Sequence, residues 1–115
     1  MARPSQRITS AELRLIFNED ELWERAQSGE FEERVLWRRH PAPHKSGEPH
    51  CTQSQIVGYY LRQGTRVALV HQYLRPNGTI GASGRPDPKA VLKDGVIYLP
   101  GAQDVRSSTD LEQDN

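Results

Sequence analysis

The spacing of apolar residues changes once along this chain, near Phe31, and that change constrains the fold more than any other feature. Before it, Leu13, Ile16 and Phe17, then Leu22, Trp23 and Ala26, recur every three or four residues and so share a helical face. After it, Phe31, Val35 and Trp37 alternate with Glu32, Arg34, Leu36 and Arg38, the pattern of a strand with one buried face. Helical residues first and stranded residues after predict an α+β domain, with an N-terminal helix pair packed on a three- to five-stranded, mainly antiparallel sheet.

Local signals mark where the elements begin and end. Thr9 and Glu12 have capping-box spacing, as do Asn18 and Glu21, and Gly29 is a stop signal, so residues 10 to 28 read as two short helices or one bent helix. Ile56–Leu61 and Val67–Leu74 are apolar on both faces, which predicts interior strands joined across Arg62-Gln-Gly-Thr65. Arg75-Pro-Asn-Gly78 and Lys93-Asp-Gly95 carry turn chemistry, and Val96–Leu99 reads as a last strand. Residues 1–8 are expected to be a flexible N-terminus, 9–100 a single domain, and 101–115 a flexible acidic tail.

The chain has 115 residues and a mean hydropathy of −0.77, which leaves room for one modest core. No apolar run approaches the roughly 20 residues of a membrane span, no secretory signal follows the first basic residues, and the single Cys51 has no disulfide partner within the chain. A soluble protein of a reducing, cytoplasmic compartment is expected, with no membrane partner. The formal net charge is zero, yet Arg34 to Lys93 holds ten basic residues against two acidic ones, while eight acids fall between Glu12 and Glu33. Separated charge of this kind predicts a basic sheet face suited to an anionic partner, or acidic helices that neutralise the sheet from within.

Three segments carry candidate chemistry. His40, His44, His50 and Cys51 are metal-ligating types in one loop, but their spacing fits no standard zinc site and the intervening prolines oppose convergence, so no metal and no cofactor is expected. In the second segment, His71 and Tyr73 share a strand face just before Arg75, a set suited to proton transfer near a phosphate, or else a hydrogen-bonded histidine in a half-buried sheet. The third, Gly78 to Lys89, has three glycines, Ser83, Arg85 and Lys89. Accessible amides and two cations there suit an anion, whereas the absence of Lys-Ser or Lys-Thr after Gly84 excludes a P-loop.

These features favour a small binding module for an anionic partner, nucleic acid foremost, through a basic sheet face and the glycine-rich loop, with Arg62, Arg66, Arg75, Ser83, Arg85 and Lys89 contacting phosphate and Tyr59, Tyr60 or Tyr73 stacking on bases. The expected helices-then-meander order is similar to that of small toxin ribonucleases of the RelE and barnase kind. That similarity is one of element order, with no residue motif of those families present; the alternative of a metal-independent ribonuclease rests on His71 as proton carrier with Tyr73 and Arg75 or Arg85 beside a phosphate. A third reading is a protein-interaction domain or homodimer in which acidic helices meet the basic sheet of another copy.

Overall fold

The structure is a computed structural model that describes residues 3–40 and 47–102. Thr9 starts the first helix as its spacing requires. Its hydroxyl accepts from the Glu12 amide at 3.1 Å, and the Glu12 carboxylate accepts from the Thr9 amide at 3.0 Å, a cap that contributes about 1 kcal/mol. The helix, α1 (Ser10–Glu19), buries Leu13 and Phe17. The second helix, α2 (Leu22–Gln27), does not use the Asn18–Glu21 spacing: Glu21 lies in the left-handed region with φ 53° and makes no side-chain cap. At its other end Gly29 has φ 87°, and the Gly29 and Glu30 amides donate back to Ala26 and Arg25 at 3.0 and 3.1 Å, the Schellman pattern.

Six strands form one sheet, rather than the three to five expected. They are β1 (Ser5–Ile8), β2 (Glu32–Arg39), β3 (Gln53–Tyr60), β4 (Arg66–Leu74), β5 (Asp87–Lys93) and β6 (Val96–Pro100), in the spatial order β1-β6-β5-β4-β3-β2. All pairings are antiparallel except β1 with β6, so the element order begins with a strand and not with the helices. Residues 5–8, expected to be flexible, are held by that parallel pairing, by Arg7 Nη1 donating to the Pro100 carbonyl at 2.8 Å, and by burial of Ile8. β5 begins inside what reads as loop. Pro88 is accommodated because the β4–β5 register slips between Leu69 and Val70, and a bulge is where a strand tolerates proline.

The core lies between the helices and one side of the sheet. Phe17 of α1 and Phe31 ahead of β2 stack on Tyr59 of β3, with ring centroids 6.4 and 6.1 Å apart, and Val57, Ala68, Val70 and Val91 complete the same cluster. Among the described residues no helix lies on the opposite face of the sheet. That face presents Ile56, Leu69, Leu92 and Ile97 half-buried.

Candidate functional site

Ser54, His71 and Tyr73 meet on the uncovered face, near the end of β4. Ser54 Oγ and His71 Nε2 are 2.7 Å apart, and the Tyr73 ring stands edge-on to the imidazole at 4.8 Å between centroids. Burial and the nearby Lys89 ammonium push the His71 pKa down, against the opposing pull of Asp87, so the imidazole is neutral near pH 7. Asp87 is the register partner of His71 on β5, but its carboxylate is engaged by Lys89 at 3.0 Å. His71, Tyr73, Ser83 and Arg85 line one open depression of about 360 Å³, together with Gly81 and Asp87.

The glycine-rich segment already holds an anion, and the anion is the chain's own. Glu48, whose side chain is 6% exposed, accepts from Arg75 Nε at 2.8 Å and from the Ala82 amide at 2.9 Å. Both contacts hold the carboxyl below its usual range. A Cβ at Gly81 would overlap the Glu48 carboxylate, so any larger residue there displaces it. The amides of Gly81 and Gly84 are also taken, by the carbonyls of Tyr73 at 2.8 Å and Gly81 at 3.0 Å. Chemistry that reads as a phosphate cradle is thus satisfied internally.

The basic residues expected to share one patch are divided. Arg85 is held by Glu24 at 2.7 Å and by Asn18 Oδ1 at 3.2 Å, and lies 4.7 Å from the centroid of the Trp23 ring. With Arg75 on Glu48 and Lys89 on Asp87, three of the expected anion contacts carry acidic partners. Lys93 likewise binds Asp20 at 3.0 Å. Arg62, in the turn before β4, and Arg66, at its start, are exposed, and Arg66 is about 30 Å from Arg75 by strand rise. The acidic helices therefore neutralise part of the basic sheet from within. Among the described residues Ser83 bonds to Arg85 backbone groups alone, at 3.3 and 3.4 Å, and Tyr59 is fully buried and presents no ring to a ligand.

The structure adds Arg34 and Trp37 to the exposed set. The β2–β3 register slips between Val35 and Trp37, so Leu36 is an extra residue and Val35 and Trp37 turn to opposite faces instead of sharing a buried one. Val35, Leu36 and Trp37 are 47%, 47% and 50% exposed. On the uncovered face Tyr60 lies across Gly58, where any Cβ would meet the ring at 2.6 Å, and the Arg34 guanidinium sits 4.2 Å from the ring centroid. Arg66 is the register partner of Tyr60 and joins it on that face. The signal in the sequence was Gly58 inside an otherwise apolar strand, a mark of close approach.

Among the described residues no group of histidine, cysteine and acidic side chains could hold a metal, and His44 lies outside them. No described helix is long and apolar enough to cross a membrane. Comparisons with protein families, curated proteins and solved structures return no match for this chain.

Proposed function

We propose that the chain binds single-stranded nucleic acid on the sheet face opposite the helices. The observation that carries this reading is the Arg34–Tyr60–Gly58 stack, a cation and a flat aromatic surface on an uncovered sheet, with Arg66 beside it and Trp37 half-exposed on the same side. Unpaired bases stack on such rings while arginines neutralise phosphate. A duplex, whose bases are already stacked, gains only the charge contacts. Arg34 itself bridges Glu32 at 2.9 Å, so the phosphate-contacting set is Arg39 and Arg66, which carry no ion pair among the described residues, in place of Arg75, Arg85 and Lys89.

The test is titration of labelled single- and double-stranded RNA and DNA at two salt concentrations. Salt-sensitive binding that prefers single strands and drops on Tyr60→Ala and Arg66→Ala supports the reading. Equal affinity for duplex and single strand, or no loss in either variant, overturns it. A second reading, ribonuclease activity, is favoured by the gathering of neutral His71 with Tyr73 and Arg85 around one depression. Cleavage products that disappear with His71→Ala select that reading instead.

A further inference from the structure

We propose that two copies of this chain join through β2, edge to edge and antiparallel, so that one sheet runs through both. β2 is the last strand of the sheet and is exposed along its whole length, and an edge of this kind is a template for pairing. Its centre is the run Val35-Leu36-Trp37, three of the four large apolar residues exposed on the described surface. Its ends carry opposite charge: Glu32 and Glu33 at the start, Arg38 and Arg39 at the finish. Within one copy Glu32 already accepts from Arg34 at 2.9 Å, so a contact with the partner's Arg39 adds a second cation to that carboxylate. Antiparallel alignment with a second copy sets Glu32 opposite the partner's Arg39 and Glu33 opposite the partner's Arg38.

In a regular strand that alignment cannot close. A two-fold axis normal to a sheet must pass through a pair of identical residues, so residues that face each other are separated by an even number of positions, whereas Glu32 and Arg39 are not. The bulge removes the conflict. Because Val35 pairs with Val57 and Trp37 with Ile56, Val35-Leu36 counts as one position in the alternation. Glu32, Arg34, Trp37 and Arg39 then share the uncovered face, and Glu33 and Arg38 share the other. An axis through the bulge places every residue opposite one on its own face, and Arg34 falls opposite the partner's Trp37, a cation facing a ring. Each contact is made twice, as an isologous interface requires. A parallel alignment would instead bring like charges together. This surface is distinct from a helix-to-sheet contact between copies, and the inference is argued from the strand edge and not from nucleic-acid binding, although Trp37 and Arg39 belong to both surfaces.

The test uses the full chain in sedimentation and light scattering, with circular dichroism as the check on folding. Wild type is expected to dimerise, more weakly as salt rises. The double variants Glu32→Arg/Glu33→Arg and Arg38→Glu/Arg39→Glu are each expected to lose at least tenfold in self-association, and an equimolar mixture of the two to recover a dimer, since every facing pair is again opposite in charge. As a second measurement, Leu36→Cys in a Cys51→Ser background should oxidise to a covalent dimer, because residues at the axis face their own copies. Wild type that stays monomeric from about 1 μM to about 1 mM, self-association unchanged by both reversals, or a mixture that fails to associate would overturn the proposal.

Discussion

Glu48 spans 27 positions of sequence to reach Arg75, and one of its oxygens accepts from the Arg75 guanidinium while the other accepts from the Ala82 amide. One carboxylate thereby ties the chain entering β3 to the turn leaving β4 and to the glycine loop that leads into β5.

Neutralising that carboxylate should loosen the loop. Glu48→Gln is expected to lower the melting temperature at pH 7 and to speed amide exchange at Ala82. Because the folded-state pKa of Glu48 is depressed, its contribution is fully present above the unfolded value and is lost as pH falls through the folded one. The gap between wild type and variant should therefore close in acid, below the ordinary carboxylate range. A gap independent of pH would show that the carboxylate charge is not what holds the loop.

The core makes an opposite and less obvious prediction. The Tyr59 hydroxyl is buried with no hydrogen-bond partner among the described residues, and burial pushes its pKa up. Removing an unsatisfied buried polar group relieves its desolvation cost, so Tyr59→Phe should stabilise the domain by about 1 kcal/mol in denaturant unfolding. Its neighbour behaves conventionally: Phe17→Ala should cost about 3–5 kcal/mol. A destabilised Tyr59→Phe would mean that the hydroxyl is satisfied in solution.

His71 offers a titration. Its imidazole is neutral at pH 7, since burial and the Lys89 charge both oppose protonation. Nuclear magnetic resonance should place its midpoint below 6.5, the ordinary value, and Lys89→Met should move it upward by removing the repulsion. A depressed histidine binds protons more readily in the unfolded chain, so its contribution to stability is lost as pH falls below the ordinary value. No shift in Lys89→Met would show that burial alone sets the midpoint.

Gly58→Ala isolates the stacking surface. The new Cβ displaces the Tyr60 ring, and the Arg34 stack with it, without touching the buried side of the sheet. Single-strand affinity is expected to fall several-fold while the melting temperature changes by only a few degrees. Unchanged affinity in a folded variant would remove Tyr60 from the binding surface.

Local chemistry was enough to determine the first helix, the two strands β3 and β4 and the turns that flank them. The Thr9–Glu12 cap, the Gly29 stop, the apolar runs that become β3 and β4, and the Asp94-Gly95 turn, both residues at positive φ, each act within a few neighbouring residues. Tertiary structure decided what depends on distant partners. Ser5–Ile8 has little strand character of its own and becomes β1 only because β6 lies beside it. Pro88 enters β5 where that strand bulges at Lys89 against β4, with Leu69 paired to Ala90 and Val70 to Pro88. The same holds for charge: composition showed a basic middle and acidic helices, but only the fold brings Glu24 to Arg85 and Asp20 to Lys93. A one-residue bulge at Leu36 put Trp37 on the face opposite Val35, since strand alternation has period two and a single insertion inverts every position beyond it.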